Sequence, residues 1–120
     1  MNQKQITGKF GELEVQKYLM ENNYIIMQNN FRCNFGEIDV IARDINKQEI
    51  VFIEVKTRNN NLYGKPAESI NNIKKKHILK AVRYFLHRYN LEKEFIRIDV
   101  IEVYIDGNQN YNLNHIKQAF

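Results

Sequence analysis

Gly36-Glu37-Ile38-Asp39-Val40-Ile41-Ala42 and Val51-Phe52-Ile53-Glu54-Val55-Lys56-Thr57-Arg58 are the two stretches on which the fold turns. Both are rich in the β-branched and aromatic residues that favour strands. Asp44-Ile45-Asn46-Lys47 lies between them and supplies turn residues. The sequence therefore predicts strands over about 37–43 and 49–58, paired as an antiparallel hairpin. Strand side chains alternate between faces, so Glu54 and Lys56 should share a face with Phe52 and Arg58, opposite Val51, Ile53, Val55 and Thr57. On the partner strand Glu37, Asp39 and Ile41 should alternate with Ile38, Val40 and Ala42. A register that aligns the charged sets puts Asp39 beside Glu54.

Working outward, a helix is predicted over about 7–22, with Gly8, Gly11, Glu12, Val15 and Leu19 on one face. Two glycines on that stripe are costly in a helix unless its backbone lies close against a sheet. Glu12 then points inward with them, while Lys9, Gln16, Lys17 and Glu21 stay in solvent. A strand over 24–33 precedes the hairpin. After a loop over 59–65, Pro66 suits a first helical turn, and Asn71 is the N-cap of a second helix reaching Tyr89. Its core face is Ile78, Ala81, Val82, Phe85 and Tyr89, and Lys76, Lys80, Arg83 and His87 form the opposite stripe. A last long strand is expected over 95–105, then a short edge strand over 111–113 and a terminal turn. The order α-β-β-β-α-β implies an α/β domain spanning 1–120, with helices packed on a mixed sheet.

The 120 residues suit one compact domain, and 43% apolar content is too high for disorder. So short a chain builds one small core, and each charge near it needs a reason. The net charge of +4 favours polyanions. A single cysteine, Cys33, excludes an internal disulfide and any zinc site built on Cys pairs. It suits a reducing compartment, and Cys33 itself is expected to be a shielded thiol. No run approaches the ~20 apolar residues that cross a bilayer, and Met1-Asn2-Gln3-Lys4-Gln5 has no apolar signal core. The expected location is the cytoplasm, away from membranes.

Asp39 and Glu54, brought together, would each resist ionising. A hard cation such as Mg²⁺ or Mn²⁺ resolves that conflict and also takes phosphate oxygens. Lys56 would orient an attacking water or stabilise developing negative charge, and Glu12 would complete the set. The competing reading is a structural salt bridge between Lys56 and one acid. Glu-x-Lys alone is a weak signal; Asp39 on the neighbouring strand and the apolar flanks strengthen it.

Gly11-Glu12, Asn30-Phe31-Arg32, the Gly36–Ala42 and Phe52–Arg58 stretches, and Arg97-Ile98-Asp99-Val100 together resemble the YraN family of uncharacterised bacterial proteins over nearly the whole chain. That family is similar to archaeal Holliday junction resolvases and to the restriction-endonuclease-like, or PD-(D/E)xK, nucleases. The resemblance implies a three-layer α/β/α core and a metal-dependent site at Glu12, Asp39, Glu54 and Lys56. Ile38 stands where the wider superfamily has a proline before the aspartate, a departure that the resolvase branch shares.

The expectation is a metal-dependent endonuclease acting on DNA, including branched or structured DNA, with a homodimer suited to cutting two strands. The alternatives are a nucleic-acid-binding module without turnover and an adaptor whose basic face meets an acidic protein. Arg32, Arg58 and Lys65, together with Lys74, Lys75 and Lys76, are candidate DNA contacts. A surface ion pair would equally explain the two arginines, and a solvated face the three lysines. Tyr63 and Gly64 lie in the same loop as Lys65. Arg97 and Asp99 are expected to form a structural ion pair, and His77, His87 and His115 to be surface residues without metal-ligand spacing.

Overall fold

A computed structural model describes residues 2–59, 71–106 and 110–120. Residues 60–70, with Lys65, most of the loop expected over 59–65 and the helical turn expected at Pro66, lie outside the described residues. The elements are α1 (Gln3–Glu21), β1 (Tyr24–Cys33), β2 (Gly36–Asp44), β3 (Glu49–Asn59), α2 (Asn72–Arg88), β4 (Ile96–Ile105) and β5 (Tyr111–Ile116). They form a mixed five-stranded sheet in the order β1-β2-β3-β4-β5. Only β3 and β4 run parallel, joined across α2; the other neighbours are antiparallel.

The two helices cover opposite faces. Val15 and Leu19 of α1 bury against Val40, Ala42, Val51, Ile53, Ile101 and Val103. Ile78, Ala81, Val82, Phe85 and Leu86 of α2 bury against Ile38, Ile41, Ile50, Phe52 and Ile98. The result is the expected α/β/α layering. Asn71 caps α2, its side chain accepting from the Lys74 amide at 2.8 Å. Tyr89, expected in the core, is 45% exposed and Leu86 takes the buried place. The helix ends at Arg88, so Tyr89 falls at the C-cap and turns outward. Helix α1 begins four residues earlier than expected, because Asn2 and Gln5 form a reciprocal capping box.

The two glycines of α1 differ. A Cβ on Gly11 would run into the Thr57 side chain of β3, whereas one on Gly8 would meet nothing. Only Gly11 serves the close approach. Gly8→Ala should therefore stabilise the protein by about 1 kcal/mol through helix propensity. Gly11→Ala should cost roughly 1–3 kcal/mol by forcing α1 off the sheet. Urea denaturation of the two variants checks this, and equal behaviour would contradict the close-contact account.

At the turn end of the hairpin, on the α1 face, lies a buried polar network centred on Arg97 of β4. Its guanidinium donates to Asp99 at 2.9 Å, to Asp44 and Glu49 at 3.0 Å each, and to the Tyr24 hydroxyl at 2.9 Å. His115 Nε2 lies 2.7 Å from Asp99 Oδ2, and its Nδ1 lies 2.9 Å from the Tyr18 hydroxyl. A carboxylate only accepts, so Nε2 donates to Asp99, leaving Nδ1 of a neutral ring to accept from Tyr18. The Arg97–Asp99 pair is structural, as expected, but larger than a pair. His115 is not a surface residue: β5 runs three residues beyond the predicted edge strand and carries it into this network.

Candidate functional site

The other end of the hairpin is where the charged strand residues gather. The β2–β3 pairing runs from Asp44↔Glu49 to Val40↔Ile53. Asp39 and Glu54 are the next residues on the two strands, beyond the last paired position. There the regular ladder ends, and Asp39 Oδ2 accepts the Val55 amide at 2.8 Å. A carboxylate has taken the place of a backbone partner. The expected alternation of β2 breaks at this point: Ile38 and Ile41 both bury under α2, while Val40 buries under α1. This break re-aims Asp39 as a β-bulge re-aims a side chain.

Glu54 and Lys56 extend the face that Ile50 and Phe52 bury under α2. Lys56 Nζ lies 3.8 Å from Glu54 Oε1, and Lys74 Nζ, from the first turn of α2, lies 3.2 Å from the same oxygen. Glu12 enters from α1, within electrostatic reach of Glu37 and Glu54. Burial, then Glu37 and Glu54, raise its pKa, while Arg32 and Lys9 oppose the rise. Asp39 is pushed up to about 7, first by burial and then by Glu54, with smaller contributions from Glu12 and Glu37, against the Val55 amide bond. Burial, Lys74 and Arg58 lower the pKa of Lys56, and Glu54 only partly offsets them. Burial alone would lower Lys74 as well, but Lys56 and Glu54 outweigh it and raise its pKa.

Glu12, Asp39, Glu54 and Lys56 thus fall into one electrostatic cluster. Of the expected DNA contacts, Lys74 belongs to this cluster rather than to an outer face. Lys75 lies over the Phe120 ring at 5.6 Å, and Lys76 is exposed. Arg32 pairs with Glu37 at 3.2 Å on an exposed surface, and Arg58 lies 3.9 Å from Glu102. The Cys33 thiol, half-buried, donates to the Gly36 carbonyl at 3.5 Å. His77 and His87 are exposed as expected.

Glu102 and Asn114 were missing from the sequence reading. Glu102 is buried in register with Lys56 and accepts from Asn114 Nδ2 at 3.0 Å. An acid inside the apolar run Val100-Ile101-Glu102-Val103 is the same signal that marks Glu54, so Glu102 was legible.

Among the described residues, no three His, Cys, Asp or Glu side chains gather into a ready metal cage. Mg²⁺ does not need one, since it keeps several waters and binds through one or two carboxylates plus phosphate. The all-oxygen donors Asp39 and Glu54, with Glu12 behind them, fit such an ion. Burial raises Asp39 most, and the repulsion from Glu54 and Glu12 that adds to it is what a dication would relieve.

The description "Uncharacterised protein family UPF0102" matches residues 11–103. A UPF0102 protein of Caldicellulosiruptor bescii is 44% identical, with all of both chains covered. One from Clostridium botulinum is 45% identical over 94% of this chain and 92% of its own. A third, from Clostridium tetani, is 42% identical over 98% and 94% respectively.

Proposed function

From a chain that belongs to UPF0102, whose relatives' names assign no chemistry, we propose a metal-dependent phosphodiesterase acting on DNA, including branched or structured DNA. The observation that carries this is Asp39, half-buried where the β2–β3 ladder ends and within electrostatic reach of Glu54, whose carboxylate lies beside the Lys56 and Lys74 ammonium groups.

Asp39 and Glu54, supported by Glu12, would hold Mg²⁺ or Mn²⁺. When bound, the cation would supply Lewis-acid charge to the phosphate and lower the pKa of a water. Lys56 orients the attacking water and stabilises negative charge on the phosphate oxygens. Arg32, exposed and paired across the surface with Glu37, can exchange that partner for a phosphate. Two symmetric cuts in a branched substrate need two copies of the site, so a homodimer belongs to this reading.

The experiment is incubation of purified protein with Mg²⁺ or Mn²⁺ and linear, flapped and four-way DNA. At least one should be cut, with cleavage lost on chelation. If all three stay intact at high enzyme ratios, the reading fails. A salt-dependent gel shift without cleavage would instead favour a binding module. That second reading has one observation behind it: Glu54 is already paired with two lysines.

The same two lysines give a prediction. Lys74 holds the Glu54 oxygen that the cation would use. Lys74→Met should tighten Mn²⁺ binding by roughly fivefold, the equivalent of a half-exposed ion pair worth about 1 kcal/mol. Calorimetric titration without DNA reads this directly, and a weaker affinity would show that Lys74 does not compete.

A further inference from the structure

Helix α2 carries six cations, Lys74, Lys75, Lys76, Lys80, Arg83 and Arg88, and no acid. A merely solvated helix face usually mixes the two signs. Three of the six sit in the N-terminal turns, where the helix dipole disfavours positive charge. Burial explains none of the outer ones: Lys76, Lys80, Arg83 and Arg88 are exposed. A face of one sign suits a polyanion.

Beside it are two exposed aromatic rings. Phe35 stands in the tight turn between β1 and β2, 44% exposed, and Tyr84 of α2 is 39% exposed. Their centroids lie 6.2 Å apart at 62°. Both rings are held in place. Gly36, with φ of +146°, lets the chain turn sharply behind Phe35. Tyr84 leans on Phe31 at 6.1 Å, and its hydroxyl accepts from Arg88 at 3.4 Å. Phe35, Lys80, Arg83 and Tyr84 line a cleft of about 330 Å³. That is the low end of ligand-pocket sizes, room for one flat ring system.

We propose that the Phe35–Tyr84 cleft stacks an unpaired base of a single-stranded nucleic acid while Lys80 and Arg83 hold its phosphates. Aromatic platforms flanked by cations bind single strands without reading sequence, because every base offers a π-face. Duplex DNA keeps its bases stacked and cannot use the cleft. Ten residues of α2 separate Tyr84 from Lys74, which touches Glu54. At the helical rise this is about 15 Å, so one strand can lie along α2 from the cleft to the Asp39–Glu54 pair. The inference deepens the proposed function and rests on it in one respect, that the strand held here is the one cut there. It narrows the substrate to DNA with an unpaired segment beside the cleaved bond.

The test uses the whole protein in chelator, so that nothing is cut, and a single-stranded oligonucleotide carrying 2-aminopurine. Wild-type protein should bind it and change the fluorescence of the stacked base. Phe35→Ala should weaken binding at least about fivefold and abolish the fluorescence change, whereas Phe35→Trp should keep both. Lys80→Gln with Arg83→Gln should flatten the log–log salt dependence by about 1.4, the loss of two single-strand phosphate contacts. The readout is binding and stacking in chelator, so this measurement stands even if no DNA is ever cut. Unchanged binding in Phe35→Ala overturns the cleft, as does a fully paired duplex that binds as tightly with the same fluorescence change. Loss of binding in the Lys80/Arg83 variant alone, with Phe35→Ala intact, also overturns it and leaves only a non-specific basic face.

Discussion

Asp39→Asn is expected to abolish divalent-dependent cleavage and, in the same protein, to raise stability above neutral pH. The carboxyl stands at about 7 in the folded chain, against 3.8 for an ordinary aspartate. A raised pKa means that the folded state binds the proton more tightly than the unfolded state. Folding is therefore favoured by protonated Asp39 below about pH 4, and this contribution is lost as pH rises through about 7. Asparagine carries no charge at any pH and can still accept the Val55 amide through its side-chain oxygen. The gain should be roughly 1–3 kcal/mol at pH 8, after allowance for solvent at a half-buried site, and close to zero at pH 4. Melting curves at both pH values without divalent ions measure it. On adding Mn²⁺, the wild-type curve should move up and the variant's should not. Cleavage should fall at least about a hundredfold. A variant less stable than wild type at pH 8 would show that Asp39 is a structural acid, and the metal reading would go with it. Sites that bind ions hold like charges together at a cost in stability, and the opposite signs of the two effects are what separate such a site from a salt bridge.

The hairpin, the crossover helix and the α/β layering were legible because they rest on local patterns: alternation in β2 and β3, turn residues at 44–47, and the Asn71 cap. The hairpin register up to Val40 and Ile53 follows from its turn, and it brings Asp39 and Glu54 to the same end of the two strands. Other features depend on what arrives from elsewhere in the chain. Lys74 could not be seen to reach Glu54 from sequence, because the contact depends on how α2 crosses the sheet. Nor could Gly8 and Gly11 be told apart, since only the position of Thr57 distinguishes them. The break in β2 at Asp39 follows from the end of its ladder with β3, a tertiary fact. His115 went unrecognised because its partners, Asp99 and Tyr18, lie 16 and 97 residues away.

The largest loss of stability should come from Arg97→Met, at the end of the sheet away from the candidate site. Methionine roughly fills the volume, so the effect is electrostatic. It leaves Asp44 and Asp99, both buried, without the guanidinium that balances them. Burial works against both charges. His115 and Arg97 nevertheless hold Asp99 below its usual range, and Arg97 and the Lys47 amide do the same for Asp44. Removing one partner of a buried pair costs about 3–5 kcal/mol, a large share of the ~5–15 kcal/mol typical of a whole domain. The pH dependence gives the cause away. Depressed carboxylates stabilise above the unfolded value of 3.8 and lose that contribution as pH falls below it. The deficit of the variant should thus be greatest near pH 7 and narrow toward pH 4, where protonation discharges the stranded acids. Adding Asp99→Asn to Arg97→Met should recover part of the loss at pH 7. Arg97→Lys should fall between, since one ammonium cannot reach four acceptors spread around a planar fork. Urea unfolding across this pH range distinguishes the account from a simple packing defect, which would be flat with pH. At a temperature where Arg97→Met remains folded, its binding of Mn²⁺ should match wild type. A network that ties all five strands together without touching Glu12, Asp39 or Glu54 can be weakened without changing what those acids do.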